Sequence, residues 1–476
     1  MEITNTNETD EVAYVLSGSS SDGSLVVDAS YKMTLELNGL TLTSTTGAAI
    51  NVKCGKRIAV ILDEGTTNTL VDAAGGDQSG CLRTKGHFEF SGSGTLNVTG
   101  NAKHAIASKE YTMIKSSAGT INIVGAASDG IHAGQYFQMN GGTVNIDGNT
   151  LGDGIQAEYK TDDNDVVIEA EDNTAYAFIT GGTLNITMAG SQDTKGIKAE
   201  GGINISGGTF NINANSNGSR GIQTDGNMTI SGGTLTLKST GSGGKCIKTD
   251  GTLTITGGTI EATTTGGTYS YSSSKAQPKA IKADGNMTVT GGSVSATSSS
   301  HEAIETKGTL TVTDGTVYAF SSSDDAINSA SHMYLKGGNV TGVSNGNDGI
   351  DSNGNMYISG GTVIACGSGE PECGLDAAER YYLYITGGTV LGIVGGNNTV
   401  TSTTGSQCVL STTGTTTAGT AVSVKSGNTT LASFTIPTGY SPTTGGGGGF
   451  RAPGGGGGPG GGGGGRSEEH TSELQS

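Results

Sequence analysis

Short runs of alternating apolar and polar residues fill most of this chain. Examples are GGTLNI at 181–186, INIS at 203–206 and GGTFNI at 207–212. Alternation with a period of two is the pattern of a β-strand with one buried face, and no segment sustains a helical period. Gly-Gly, Asp-Gly and Asn-Gly pairs separate the runs and indicate tight turns. The pattern therefore predicts an all-β protein built from short strands.

The runs repeat along the chain. A small residue followed by an apolar one, nearly always Ile, marks each copy, and most copies are 23–25 residues apart. Two longer steps contain insertions at residues 159–175 and 266–278. Three short strands in a unit of this length are typical of one coil of a parallel β-helix, a solenoid. The marker positions are Ile106, Ile131, Ile155, Ile197, Ile222, Ile247, Ile281, Ile304, Ile327, Ile350 and Leu375, with weaker copies at Ile50 and Leu82.

Stacked coils place equivalent repeat positions in columns. One apolar column is predicted to line the interior, and the Gly pair before it fits a corner where a neighbouring coil leaves no space for Cβ. That column consists of Leu184, Phe210, Leu235, Ile260, Val294, Val317, Val340, Val363 and Val390.

The two ends of the chain differ from the repeat. Residues 1–48 and 401–444 carry weaker strand patterns and are predicted to cap a β-helix of residues 49–400, because the end coils expose backbone groups. Residues 445–465 are almost pure glycine and predict a flexible tail. Residues 466–476 resemble a translated sequencing-library adapter, so we exclude them from fold and function.

Composition and charge exclude several classes of protein. The 476 residues include 85 glycines, yet glycine does not fall at every third position as in collagen. A net charge of −18 argues against a nucleic-acid partner, which requires a basic surface. No apolar run is long enough for a transmembrane helix. The chain begins without a signal peptide, and we expect that its natural N-terminus is missing.

Two charged columns are predicted to face outward, with acidic ends and a basic middle. Carboxylates stacked about 5 Å apart repel each other, and Ca²⁺, which takes about six to eight oxygen ligands, removes that repulsion. We therefore predict calcium ligands, with solvated Asp-Gly turns as the alternative. The predicted ligands are Asp324, Asp325, Asp348, Asp351 and Asp376 in a C-terminal cluster, and Asp129 with Asp153 in a smaller pair.

The basic middle has two interpretations. The first is that four cations without obvious partners bind the carboxylates of acidic sugars, an interaction that salt would weaken. The second is a ladder of lysines and acidic residues that neutralises itself, in which each pair contributes little stability. The four cations are Lys195, Arg220, Lys245 and Lys279.

Aromatic and sulfur-containing residues add two further hypotheses. Tyr334, Tyr357 and Tyr384 occupy one strand position in successive coils, where they either bind sugar rings or serve as ordinary strand residues. Cys366 and Cys373 flank a short loop, and we predict a disulfide between them after export. The six histidines are dispersed, so their spacing suggests no zinc site.

The motifs together resemble a known family. GAAINV at 47–52, HAIASKE at 104–110, NDGIDSNGNMYISGGTV at 347–363 and DAAERYYLYITGGTV at 376–390 are similar to the carbohydrate-binding domain-containing proteins of bacterial surfaces. That resemblance implies a right-handed fold like that of polysaccharide lyases. We therefore predict an all-β, single-stranded right-handed parallel β-helix of about 13 coils, each of 23–25 residues, with terminal caps.

The resemblance also implies a function. It favours a monomeric, non-catalytic protein, stabilised by Ca²⁺ and placed outside the cell or on its surface, that binds plant-type or acidic polysaccharide such as cellulose or pectin. One alternative is a pectate-lyase-like polysaccharide lyase, in which Ca²⁺ neutralises a uronate and Lys or Arg removes a proton. Arg380 and Lys336 are the bases nearest in sequence to the acidic cluster. The other alternative is a structural or adhesive rod without a sugar site.

Overall fold

Parallel strands wind into a solenoid with three faces. The described residues contain strands and turns and no helix, hence none that could cross a membrane. The solenoid has fifteen coils, against about 13 expected, and the predicted fold class is confirmed. This computed structural model describes residues 1–162, 164–271, 274–369, 372–378, 380–395, 407–410, 412 and 417–441.

The first face is a sheet of fifteen parallel strands, one from each coil. Its strands have only three to five residues, because each remains extended only between two corners of the coil. They are Glu2–Asn5, Leu25–Ala29, Ile50–Val52, Gly80–Thr84, His104–Ser108, Ile131–Ala133, Ile155–Ala157, Lys195–Ala199, Arg220–Thr224, Lys245–Thr249, Lys279–Ala283, Ile304–Thr306, Ile327–Ser329, Ile350–Ser352 and Leu375–Ala377.

The second and third faces are joined where long strands bend around the corner between them. Six strands serve both faces: Val12–Ser20, Met33–Thr43, Met287–Ser298, Leu310–Ser321, Met356–Gly369 and Leu383–Gly395. The second face also contains Arg57–Leu62, His87–Ser91, Thr112–Ile114, Tyr136–Met139, Tyr176–Ile179, Gly202–Ile205, Asn227–Ile230, Leu253–Ile255 and Met333–Leu335. The third face also contains Thr67–Val71, Thr95–Gly100, Thr120–Ala126, Thr143–Ile146, Thr183–Met188, Thr209–Ala214, Thr234–Ser239, Thr259–Thr264 and Asn339–Ser344.

The predicted interior columns are both present. On the first face, Ile106 pairs with Ile131, and the same register continues to Leu375. On the third face the register runs from Leu184 to Val390 without interruption. These side chains are buried, apart from Val390, which is partly buried. One continuous apolar core therefore fills the solenoid.

Paired glycines form the corner before the third face. Gly208 and Gly233 have φ angles of 95° and 89°, a region that favours glycine. A Cβ on the preceding residue, Gly207 or Gly232, would lie about 2.3–2.4 Å from a carbonyl oxygen of the previous coil. The pair is thus required both by backbone conformation and by the close approach of the neighbouring coil, as expected.

The two predicted caps differ in what they cover. Strands within residues 1–48 pair with the solenoid in register and supply its first coils. At the other end, a hairpin of Ala421–Ser426 and Thr429–Thr435 lies against the outside of the last coils. Tyr440, just after it, donates a hydrogen bond of 2.7 Å from its hydroxyl to the Gly367 carbonyl. The glycine-rich tail and the adapter-like segment, residues 445–465 and 466–476, lie outside the described residues.

Cys366 and Cys373 are separate, buried thiols in this structure, and the disulfide between them stays a prediction. Cys366 packs with Val343, Ile436 and Tyr440 in a small second core under the C-terminal hairpin. Cys373 instead donates from its sulfur to the Leu375 carbonyl at 3.2 Å. Packing therefore directs the two sulfur atoms to different neighbours.

An asparagine ladder runs along the outside of the third face. Each side-chain amide donates from Nδ2 to the Oδ1 of the asparagine in the preceding coil, at 2.7–2.8 Å. Because every member except the terminal two makes two such bonds, the ladder ties five successive coils together. Its members are Asn97, Asn122, Asn145, Asn185 and Asn211.

We predict that Asn145→Ala destabilises the protein about twice as much as Asn211→Ala. Asn145 makes two ladder bonds, whereas Asn211, at the end, makes one. At about 1 kcal/mol per bond, the expected losses in the free energy of unfolding are about 2 and about 1 kcal/mol. Urea denaturation measures both, and equal losses would show that the ladder bonds do not stabilise the solenoid.

Candidate functional site

The two charged columns predicted from the sequence converge into one. Residues two before the marker Ile and one after it touch across the corner of the first face. Asp129 Oδ2 lies 3.1 Å from His132 Nδ1, Lys279 Nζ lies 3.5 Å from Glu305, and Asn328 donates to Asp325 at 3.1 Å. We call this continuous band the charged spine. The spine runs along the solenoid on the outside of the first face.

Much of the spine is buried although it lies outside the apolar core. Lys279 and Lys282 are each 1% exposed, and Asp325 is 6% exposed. Because the side chains of successive coils stack on one another, each one covers its neighbours. The spine is therefore a packed layer of charge in which every member needs a partner.

The basic middle of the spine is paired internally. Lys279 forms ion pairs with Glu302 and Glu305, and Lys282 lies 3.7 Å from the same Glu305 carboxylate. Burial opposes the charge of Lys279, yet Glu302 and Glu305 outweigh it and raise the pKa of this lysine. Further along, Lys248 lies 3.7 Å from Asp284. The second interpretation, a ladder of ion pairs that neutralise one another, fits this basic middle of the spine.

The four cations predicted to bind sugar carboxylates require a correction. Lys195 and Arg220 both pair with Asp193, and Lys245 and Lys279 are each 1% exposed. Burial within the spine, which the sequence pattern did not reveal, keeps these charges away from an extended polysaccharide. The cations therefore stabilise the spine and do not form an open surface.

Three aspartates of the C-terminal cluster converge. Carboxylate oxygens of Asp348, Asp351 and Asp376 all lie within 4.8 Å of one another. Burial, together with neighbours such as Asp376, raises the pKa of Asp348 to about 7, although the Cys373 backbone N–H donates to it. Crowded carboxylates of this kind gain from a bound cation, and an all-oxygen group fits Ca²⁺.

The other two aspartates of the predicted cluster have different neighbours. Asp324 lies 3.2 Å from His301 and belongs to a group with Glu302. Asp325 lies between the two groups, where it accepts from the Asp348 backbone N–H at 3.1 Å. Burial and the nearby Asp351 carboxylate raise its pKa well above the usual value. The predicted cluster is thus two adjacent groups joined by Asp325.

Asp129 and Asp153 bond to the backbone of the coils that follow them. Asp129 Oδ1 accepts from the Asp153 backbone N–H at 2.9 Å, and Asp153 Oδ1 accepts from the Lys195 backbone N–H at 2.7 Å. Both carboxylates therefore hold successive coils together, and the calcium pair predicted here stays a prediction.

The three predicted tyrosines form a stacked row on the second face. The ring centroids of Tyr334 and Tyr357 are 5.0 Å apart and those of Tyr357 and Tyr384 are 4.9 Å apart, with planes inclined by 6° in both cases. Two further tyrosines lie near the row and are exposed, Tyr381 by 46% and Tyr382 by 51%. The Tyr382 ring contacts Tyr384, and the Tyr381 ring contacts His332, which itself packs edge-on against the row. We call the five tyrosines the tyrosine platform. The last two were missed, although the run ERYYLY at 379–384 contains both.

A second aromatic row on the same face, nearer the N-terminus, was also missed. Tyr111 stacks between His87 at 4.0 Å and Tyr136 at 4.6 Å, and Tyr176 stacks on Phe178 at 5.3 Å. All five rings are half-buried. Tyr111 and Tyr136 are one repeat length apart in the sequence, which is the signal that identifies them.

The two bases considered for a lyase, Lys336 and Arg380, are exposed, whereas a third cation near the acidic residues, Lys279, is buried. Lys279 adjoins Asp324 but is covered and paired with two glutamates. Lys336 is exposed, with its Nζ 5.2 Å from the centroid of the Tyr334 ring, and Arg380 is exposed in a turn with a φ of 78°. A catalytic base must reach the proton that it removes, so the burial of Lys279 makes it unsuited to that role.

Comparisons with known proteins identify what this chain is similar to. A family model described as carbohydrate-binding domain-containing protein matches residues 2–243 and 178–326. A protein of that description from Acetivibrio thermocellus is 27% identical over 105 residues, which are 20% of this chain and 37% of that protein's length. The structure of a polysaccharide lyase-like protein from C. thermocellum, a gadolinium derivative, is 22% identical. It aligns with a TM-score of 0.40 over 48% of this chain and 96% of its own.

We predict that Lys279→Met lowers the free energy of unfolding by about 3–5 kcal/mol, because it leaves the half-buried Glu302 without its cation and leaves Glu305 with Lys282 alone. Adding Glu302→Gln should restore part of that loss. The matched control is Lys238→Met, at an exposed position, with an expected change within about 0.5 kcal/mol. If urea denaturation in EDTA gives similar values for both lysine variants, the spine does not depend on internal pairing.

Proposed function

Because the chain belongs to the family of carbohydrate-binding domain-containing proteins, we propose that it binds polysaccharide without cleaving it and that the tyrosine platform is the contact surface. The observation that carries this assignment is the row of three stacked rings extended by two exposed tyrosines. The platform lies beyond residue 326, where the family match ends, so its assignment depends on geometry.

The spacing of the rings suits a repetitive ligand. Centroids 4.9–5.0 Å apart match the spacing of about 4.7–4.9 Å between neighbouring strands, so each coil adds one ring to the row. The row presents partly exposed rings, each with a hydroxyl group, at regular intervals. A polysaccharide that runs along the solenoid would meet the same contact in each coil.

The exposed tyrosines strengthen the assignment. Tyr381 and Tyr382 leave about half of their surface open, and neighbouring large exposed apolar groups mark binding surfaces more often than isolated ones do. Lys336 and Arg380 are exposed beside them and offer hydrogen-bond donors and positive charge. A plant-type polysaccharide with some acidic units would use both the rings and these cations.

We include Ca²⁺ in the proposal because it would stabilise the coils that carry the tyrosine platform. Asp351 and Asp376 belong to the same coils as Tyr357 and Tyr384. Ca²⁺ held by Asp348, Asp351 and Asp376 would remove their repulsion and fix the register of these coils. Millimolar calcium and polysaccharide occur together outside cells, so an extracellular or cell-surface location fits this function.

We predict that replacing Tyr381 and Tyr382 together by Ala weakens polysaccharide binding about tenfold, since each aromatic contact contributes about 0.5–1.5 kcal/mol. Both side chains are exposed, so the variant should fold normally. Affinity electrophoresis in gels containing soluble cellulose derivative or polygalacturonate measures the change, with Tyr31→Ala as the control.

Equal retardation of wild type and the double variant would contradict the platform assignment. Wild-type protein that is retarded by no glycan would favour a structural rod. Accumulation of the unsaturated product from polygalacturonate in the presence of calcium, followed by its ultraviolet absorbance, would instead establish a lyase.

We predict that Ca²⁺ raises the melting temperature of the wild-type protein and that Asp351→Asn combined with Asp376→Asn abolishes most of this rise. A ligand at about 100 times its Kd stabilises a protein by about 2.7 kcal/mol. Differential scanning calorimetry with calcium and with EDTA measures the effect. Asp225→Asn, at an exposed aspartate outside the cluster, should respond like wild type. An unchanged calcium response in the double variant would show that Ca²⁺ does not bind at this cluster.

A further inference from the structure

A cluster of nitrogen and oxygen ligands lies near the N-terminal end of the charged spine. His104 and Asp129 occupy the same repeat position in successive coils, and His132 follows the marker Ile131 in the second of them. Although His104 and His132 are 28 residues apart in sequence, their rings stack with centroids 4.2 Å apart and planes inclined by 18°. The solenoid has therefore brought together two imidazoles and one carboxylate.

The ligand atoms of the three residues lie close together around the Asp129 carboxylate. Asp129 Oδ2 lies 3.1 Å from His104 Nδ1 and 3.1 Å from His132 Nδ1. One ligand atom from each of the three residues lies within 4.8 Å of the others. With metal–ligand bonds of about 2.0–2.1 Å, the ligand atoms of a tetrahedral ion are about 3.3 Å apart. Because the two imidazoles are stacked, their rings would turn out of the parallel arrangement so that both Nδ1 lone pairs point at one ion.

One nitrogen of His104 makes two close contacts with Asp129. The Asp129 backbone N–H donates to His104 Nδ1 at 3.2 Å, which requires a lone pair on that nitrogen. The negatively charged Asp129 Oδ2 faces the same lone pair at 3.1 Å. A proton on Nδ1 that donates to Oδ2 satisfies this contact, and so does a cation that replaces that proton. His104 is 2% exposed, and its Nε2 is buried without a hydrogen-bond partner within the described part of the chain. No hydrogen bond there holds the ring in the opposite tautomer.

A carboxylate behind His132 completes the arrangement. Glu158 Oε1 lies 2.9 Å from His132 Nε2, on the side of the ring opposite Asp129. Histidines that bind metals commonly donate their second N–H to such a carboxylate, which fixes the ring and strengthens the ligand. The side chains of His132 and Glu158 are 18% and 35% exposed, so an ion can enter from this side. A water molecule would complete the coordination.

We propose that His104, Asp129 and His132 bind a divalent transition-metal ion of the Zn²⁺ type, with Glu158 orienting His132. Two imidazole nitrogens select against Ca²⁺, which takes oxygen ligands, and suit Zn²⁺ and its neighbours. The site is separate from the C-terminal aspartates and independent of sugar binding. It joins two successive coils, and through Glu158 it reaches the base of the insertion at residues 159–175.

Isothermal titration tests the site. Full-length protein is stripped with EDTA, dialysed and titrated with ZnCl₂ in excess CaCl₂. We expect one Zn²⁺ per chain, with an affinity at least about a hundredfold weaker in His132→Gln. Glu158→Gln should weaken binding by about ten- to a hundredfold. His87→Gln is the matched control, because His87 is also half-buried and pairs with a glutamate, Glu110, at 2.9 Å, outside the cluster. It should bind Zn²⁺ like wild type.

Cobalt provides a second readout. Co²⁺ in wild-type protein should give the strong visible absorbance of a tetrahedral ion, and this band should be absent from His132→Gln and present in His87→Gln. Zinc binding that all three variants share, or wild-type protein that prefers Ca²⁺ to Zn²⁺, would overturn the proposal. If His132→Gln fails to fold, two results still test the proposal. Glu158→Gln must bind Zn²⁺ more weakly than wild type, and the wild-type protein must give the absorbance of tetrahedral Co²⁺.

Discussion

The hydrogen-bond register between successive coils is the constraint on which this structure depends. Ile106, Ile131 and Ile155 lie over one another because each first-face strand pairs with the next without a shift. A slip of one residue would turn the apolar column outward and bring the spine into the core. Apolar burial and the backbone ladder therefore favour the same register, and every surface column follows from it.

The register between coils stacks charged side chains on one another, and it also determines which groups can neutralise them. Stacking places side chains of the same repeat position about 5 Å apart, so charges accumulate in one buried band. The molecule resolves this differently along its length. Lysines pair with glutamates in the middle, Asp129 and Asp153 accept backbone N–H groups, and the third face replaces charge with amide bonds. Where carboxylates remain crowded, at Asp348 and its neighbours, we propose a cation.

The sequence predicted those features that depend on a single repeat position. The interior columns, the glycine corners and the row of Tyr334, Tyr357 and Tyr384 each follow from counting residues between coils. Contacts between different positions could not be read in this way. The corner of the first face turns His104 and Asp129 toward His132, and strand periodicity does not specify the angle of a corner. Burial of Lys279 was missed because one of its two partners in the next coil, Glu305, occupies a different repeat position and reaches it across the corner.

Disulfide trapping across one pair of coils tests the register most directly. Thr229 and Thr254 are register partners on the second face, and Thr288 follows one coil later. After Cys408→Ser removes the exposed thiol, cysteines at 229 and 254 should cross-link rapidly, because adjacent parallel strands lie within disulfide range. Cysteines at 229 and 288, two coils apart, should not. Equal cross-linking of the two pairs, or faster cross-linking of the second, would contradict the stacked arrangement on which the proposed sites depend.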